Sequence, residues 1–184
     1  MSEQDRIRWE ERYRNRTTPG VSAADIPAVV APFEAEFPAR GRALDLACGQ
    51  GVASVWLARR GLDVLGLDIS ATAIDQAREL AVQAGVGERC QFDVVDLDDG
   101  LPAGPAIDVV MCHRFRDSRL DQSIVDRLAP GGLLAISALS VVGAGAGRFR
   151  VQPGELTAAF AQLEVIAAGE GDGEAWLLAR KPAR

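Results

Sequence analysis

The sequence predicts an α/β chain built on a doubly wound, mostly parallel sheet of seven strands, with helices on both faces and an antiparallel last strand. From residue 42 onward short apolar runs alternate with segments that carry apolar residues at helical spacing, the pattern of parallel strands joined by covering helices. The last two apolar runs are separated only by Gly169 to Glu174, which has room for a hairpin but not for a parallel crossover. A chain of 184 residues with 48% hydrophobic content has the size and composition of one domain. Within it we expect an N-terminal helical segment over residues 1–38 and a sheet-bearing core over 39–184.

The elements follow in order. Asp5 to Arg14 and Ile26 to Phe37 read as two helices ahead of the sheet, the first placing Trp9 and Tyr13 on one face. The expected strands are Ala43 to Ala47, Asp63 to Leu67, Gln91 to Val95, Ile107 to Cys112, Leu133 to Ala138, Leu163 to Ala167 and Ala175 to Ala179. Helices are expected at Val52 to Arg60, Ala71 to Ala84 and Leu120 to Leu128, with Ser70 placed to cap the second. The stretch from Asp98 to Ile107 is too short for a full crossover helix, which leaves a loop or a single turn. Gly143 to Gly147 reads as a flexible loop.

Composition removes several function classes. A formal charge of −6 gives no broad attraction to nucleic acid or anionic lipid. Arg6, Arg8, Arg12, Arg14 and Arg16 are interspersed with Glu3, Asp5, Glu10 and Glu11, an ordinary mixed-charge surface. Cys48, Cys90 and Cys112 lie far apart, suggesting neither disulfides nor a thiolate metal site and fitting a cytoplasmic location. No apolar run approaches the roughly 18 to 20 residues that span a bilayer. Neither membrane insertion nor a metal site is expected, and the sequence leaves monomer and dimer open.

The chemistry concentrates at Asp45-Leu46-Ala47-Cys48-Gly49-Gln50-Gly51, a glycine turn that follows an apolar strand and opens a helix. Such turns let backbone approach a nucleotide. Asp68, at the end of the second strand, can accept hydrogen bonds from both ribose hydroxyls. Dinucleotides and sulfonium nucleosides share this geometry, and Asp45 separates them. A carboxylate this close to the turn would repel a pyrophosphate, whereas S-adenosylmethionine carries a sulfonium and an ammonium and no phosphate. A third acidic station, Asp96 followed by Leu97, is placed to meet the adenine amine and a ring nitrogen. Its alternative reading is a solvated acidic loop with Asp98 and Asp99.

The ordered series DLACGQG, GLDIS, VVDLDD, IDVVMCHRF and LAPGG resembles the motifs of class I S-adenosylmethionine-dependent methyltransferases, over roughly Arg42 to Pro182. Trp9-Glu-Glu-Arg-Tyr13 and Pro153-Gly-Glu-Leu156 are similar to the tellurite-resistance and thiopurine methyltransferase-like branch. The resemblance implies a Rossmann-like fold with strand order 3-2-1-4-5-7-6 and S-adenosylmethionine as cofactor, leaving S-adenosylhomocysteine. It implies that Asp45 and the Ala47, Cys48, Gly49 and Gly51 backbone hold the methionine portion, Asp68 with Ile69 the ribose, and Asp96 with Leu97 the adenine. It also implies Cys112 beside the cofactor and Trp9 and Tyr13 in a helical lid over it; the alternative for these two is simple packing of the N-terminal helix on the domain. Ala47 stands where the family often has glycine.

Ligands of open parallel sheets bind beyond the carboxyl ends of strands, so Cys112, His113 and Arg114 are expected near the reacting methyl group. His113, the only histidine, suits a general base; the alternative is a contact without proton transfer. Arg114 is a candidate contact for an acidic acceptor. The leading expectation is methyl transfer to a small molecule by in-line displacement. Two rivals are a non-catalytic S-adenosylmethionine-binding sensor or partner subunit and an NAD-dependent oxidoreductase, the latter opposed by Asp45.

Overall fold

Two apolar runs of the N-terminal half bury residues on both faces, and a third, of which only Phe92 is buried, pairs along their edge. In the computed structural model, which describes residues 3–145, 147 and 149–183, β1 (Gly41–Leu46), β2 (Leu62–Asp68) and β3 (Cys90–Val94) form a parallel set in the order β3-β2-β1. Leu44 stands opposite Leu65 and Leu46 opposite Leu67. The helices α2 (Val52–Arg59) and α3 (Ala71–Gln83) turn Val55, Ile74, Ala77 and Leu80 into one apolar cluster with Phe92. Burial of side chains of this size stabilises by about 1.5–3 kcal/mol each for the larger ones.

Local signals set the helix starts. Ser70 caps α3 as its position predicts, its Oγ accepting the Ala73 amide at 3.1 Å. The start of α2 has no side-chain cap; Gly51 enters it at φ +77°. A Cβ on Gly51 would stand 2.7 Å from the Ala77 Cβ, so glycine there lets α2 begin against α3. Ahead of them, α1 (Glu3–Arg14) carries acids in its first turn and arginines in its last, which complements the helix dipole. After β3 the chain makes a single 3-10 turn at Leu97–Asp99, the short connection that its length implied.

The helix expected over Ile26 to Phe37 does not form as an α-helix. Only Ala31–Glu36 is helical, as 3-10 structure broken at Phe33, where φ is −110° and ψ 22°. Pro32, in its interior, lacks a backbone donor and Pro38 follows, so an uninterrupted ladder was unavailable.

The C-terminal half contributes β4 (Ile107–Cys112), α4 (Asp121–Arg127), β5 (Leu128–Ser140), β6 (Arg150–Val151), α5 (Glu155–Ala159), β7 (Glu164–Gly171) and β8 (Glu174–Arg180). β4 and β5 are parallel; β8 is antiparallel to both β5 and β7, giving the order β4-β5-β8-β7 with β6 beside β5. Leu133, Leu134, Leu177 and Leu178 are fully buried along the β5–β8 pair. The expected hairpin and antiparallel last strand are both present. β6 and α5 are additions, and of the Gly143 to Gly147 loop, Ala146 lies outside the described residues.

The chain clusters into two units, Met1–Pro27 with Pro38–Gly100 and Ala28–Phe37 with Leu101–Arg184, and the strands described first belong to the former. Among the described residues no helix is long and apolar enough to cross a membrane.

Candidate functional site

In the first unit, the ends of β1 and β2 bring two carboxylates into the protein. Asp45 is 2% exposed and Asp68 5% exposed. Ser54, on α2, donates its hydroxyl to Asp45 Oδ2 at 2.5 Å. Asp68 spreads its charge over backbone donors: the Gly49 amide reaches Oδ2 and the Ser70 amide reaches Oδ1, each at 2.9 Å. Asp68 therefore clamps the glycine turn onto β2.

The electrostatics of this pair are set by burial. Burial pushes the Asp45 carboxyl up to about 7, with the Asp68 charge adding to the rise and the Ser54 hydrogen bond opposing it. Burial also raises Asp68, against the hydrogen bonds from Ser70, Gly49 and Ile69. Neither carboxylate has a lysine or arginine partner among the described residues. Two buried acids without a counter-ion repel a pyrophosphate and fit a ligand that brings positive charge and no phosphate. The sulfonium and ammonium of S-adenosylmethionine meet that requirement. Burial and both acids push the Cys48 thiol well above its ordinary value, which makes it an inert packing group.

The turn itself is partly strained. Ala47 has φ +53° and Gly49 φ +54°, so the glycine that the family often carries at position 47 answers a left-handed backbone. The space above Gly49 belongs to Tyr13, whose hydroxyl stands 2.8 Å from where a Cβ would sit. Trp9 stacks on Tyr13 at 6.0 Å, and the Arg12 guanidinium lies 5.0 Å above the Trp9 ring.

Sequence reasoning missed what holds α1 there. Glu10 accepts hydrogen bonds from the Ser70 hydroxyl at 2.6 Å, from the Thr72 hydroxyl and from the Thr72 amide, at the start of α3. Gln76 donates to the Tyr13 carbonyl at 3.3 Å and Gln50 to the Thr17 carbonyl at 3.1 Å. Burial alone would raise Glu10, but the bonds from Ser70 and Thr72 outweigh it and hold the carboxyl below the usual range.

Ile69 is buried behind Asp68, and Leu97 is buried within its 3-10 turn. Asp96 is half-buried and its Oδ1 accepts the Asp98 amide at 2.9 Å, capping that turn. Asp45, Ala47, Cys48, Gly49, Gly51, Asp68, Trp9 and Tyr13 thus share one neighbourhood on the turn and α1.

In the second unit, β4 ends in buried Cys112 and delivers His113 and Arg114 onto β5 and β8. His113 Nδ1 lies 2.8 Å from Ser137 Oγ, and the Arg114 amide donates to the same oxygen at 3.1 Å. The Arg114 guanidinium pairs with Glu174 Oε2 at 3.1 Å. Burial lowers the His113 pKa, with Glu174 opposing and Arg114 assisting. Ser137 and Glu174 carried no motif in the sequence.

A family model described as a methyltransferase domain matches residues 43–132. Ribosomal RNA small subunit methyltransferase C of Alcanivorax borkumensis is 34% identical over 104 residues, covering 51% of this chain and 31% of that protein. The chain spans about a third of the length of the first curated relatives it matches. The cyclase SpnF superposes with a TM-score of 0.70 at 20% identity, covering 85% of this chain and 81% of that one. A TehB-like S-adenosylmethionine-dependent methyltransferase from Corynebacterium glutamicum superposes with a TM-score of 0.66 at 21% identity, covering 98% of this chain and all of the other. These likenesses show the Rossmann-like α/β fold with a mostly parallel sheet and antiparallel C-terminal strands. With that fold, residues 43–132 are similar to the methyltransferase-domain family, and the acidic turn within them suits S-adenosylmethionine, the cofactor that this similarity implies.

Proposed function

We propose that this protein transfers the methyl group of S-adenosylmethionine to a small-molecule acceptor. The observation that carries the reading is the pair of carboxylates at the glycine turn, Asp45 and Asp68, buried and without a lysine or arginine partner among the described residues. When bound, the cofactor supplies an electrophilic methyl group. Asp45 would answer the methionine ammonium and the sulfonium, with Ser54 fixing its carboxylate. Asp68 accepts backbone bonds from Gly49, Ser70 and Ile69 and keeps lone-pair capacity for the ribose hydroxyls. Asp96 and Leu97 are the proposed adenine contacts, and α1, with Trp9 and Tyr13, is the proposed lid that excludes water. The whole chain then acts as one methyltransferase domain.

His113 and Arg114, at the carboxyl end of β4, are the proposed acceptor contacts. In-line displacement runs on alignment and proximity when the acceptor is already nucleophilic, so a base is one option and not a requirement. A formal charge of −6 favours a small acceptor over the polyanionic RNA that a relative's name indicates for that relative.

Incubation with tritium-labelled methyl donor and fractionated cell extract tests the reading. Label is expected in the low-molecular-weight fraction. Label in RNA alone overturns the small-molecule acceptor. Cofactor binding with no label in any fraction supports the non-catalytic sensor or subunit.

A further inference from the structure

The hydroxyl of Ser137 is buried, the residue being 2% exposed, and a hydroxyl has one proton to give and two lone pairs. Its oxygen accepts the Arg114 amide at 3.1 Å. That amide is aimed by a left-handed backbone at Arg114, φ +56°, which a non-glycine residue adopts only when its surroundings hold it. The hydroxyl proton then needs an acceptor, because a buried donor left unpaired is costly. Among the described residues the one acceptor within hydrogen-bond distance is His113 Nδ1, at 2.8 Å.

Nδ1 receiving that proton must hold a lone pair, so the ring proton sits on Nε2. The opposite arrangement, Nδ1–H donating to Ser137, would strand the serine proton. Glu174 does not rescue it: among the described residues the Ser137 hydroxyl makes no hydrogen bond to Glu174, and Glu174 Oε1, 3.8 Å from Nδ1, is also beyond hydrogen-bond distance of the ring. Nε2 has no partner among the described residues and is not closed off from solvent. The neighbouring charges are Arg114 and Glu174, paired with each other.

We propose that Ser137 is a positioning residue that fixes His113 as the Nε2–H tautomer, so that His113 offers a hydrogen-bond donor to an acceptor molecule bearing an anionic oxygen. This rests on the methyltransferase reading for what binds there, but the tautomer does not depend on it. A ring held this way already carries its proton on Nε2, and its one basic nitrogen, Nδ1, is occupied by the Ser137 hydroxyl, so toward a bound molecule it is a donor and not a base. The acceptor class that fits is a carboxylate or other oxyanion whose oxygen accepts the Nε2–H, with Arg114 beside it.

His113 is the only histidine in the chain, so protein labelled with nitrogen-15 histidine reports a single ring. Long-range proton–nitrogen correlation at pH 8 is expected to show a pyridine-type Nδ1 and a pyrrole-type Nε2. In Ser137→Ala the two nitrogens should move toward an exchange average; in Ser137→Thr, which keeps the hydroxyl, they should not. A wild-type Nδ1–H ring, or an equal tautomer mixture unchanged by Ser137→Ala, overturns the assignment, and the wild-type spectrum decides even if the alanine variant does not fold. Titration with benzoate is expected to shift the Nε2–H resonance at concentrations where benzylamine does not. Equal responses to both overturn the anionic class. Failure of S-adenosylmethionine to bind in a separate titration would instead sink the methyltransferase reading and leave the tautomer standing.

Discussion

The Tyr13 hydroxyl stands 2.8 Å from the position that a Cβ on Gly49 would occupy, so α1 rests on the glycine turn at a point where no side chain fits. Gly49 also has φ +54°. Gly49→Ala should therefore destabilise the protein by about 1–2 kcal/mol from the left-handed backbone, with a further loss from the clash. Adding Tyr13→Phe removes the nearest atom and should restore part of that loss. Urea unfolding of the two single variants and the double variant measures it; strict additivity would remove the contact.

Glu10 is the second tie on α1. Glu10→Ala leaves the Ser70 and Thr72 hydroxyls and the Thr72 amide without their carboxylate, so residues 3–14 should exchange amide protons faster, with a loss of about 1.5–3 kcal/mol in their local opening free energy. Unchanged exchange in α1 contradicts the latch.

Ala47 carries φ +53° without being glycine. Ala47→Gly should relieve the left-handed strain and, after the added flexibility of the unfolded chain, raise stability by about 0.5–1 kcal/mol, read as a higher urea midpoint.

Asp45 makes stability depend on pH with a definite sign. Its carboxyl is raised from 3.8 to about 7 in the folded protein, so between these values the folded state holds a proton that the unfolded state has lost. The cofactor-free protein should lose stability as pH rises through that window, by up to about 1.4 kcal/mol per pH unit from this group, and level off above it. Asp45→Asn should remove that part of the slope. Urea midpoints at pH 5, 6, 7 and 8 for both proteins provide the check, with parallel profiles as the contrary result.

The parts of this architecture that rest on local chemistry were legible in the sequence. Strand alternation, the Ser70 cap and a hairpin turn within Gly169 to Glu174 are decided within a few residues; all three are present, the turn narrowed to Asp172 and Gly173 because β7 runs on to Gly171 and β8 starts at Glu174. The failed helix over Ile26 to Phe37 shows the limit: its apolar spacing was helical, but Pro32, in its interior, removed a donor that the ladder needs. β6 and α5, of two and five residues, are too short to leave a periodic signal. In the site, acids at strand ends could be read from their motifs. Ser54, Ser137 and Glu10 could not, because a lone serine or glutamate gains its role from a partner 9, 24 or 60 residues away.

Calorimetric titration of the protein with S-adenosylmethionine, beside the same titrations with NAD and of Asp68→Ala, tests the central claim most directly. The two buried acids predict binding of S-adenosylmethionine and none of NAD. Asp68→Ala should weaken that binding by about 1–3 kcal/mol, as ribose hydrogen bonds are lost. Binding of NAD in preference, or no binding of S-adenosylmethionine at millimolar concentration, would contradict it.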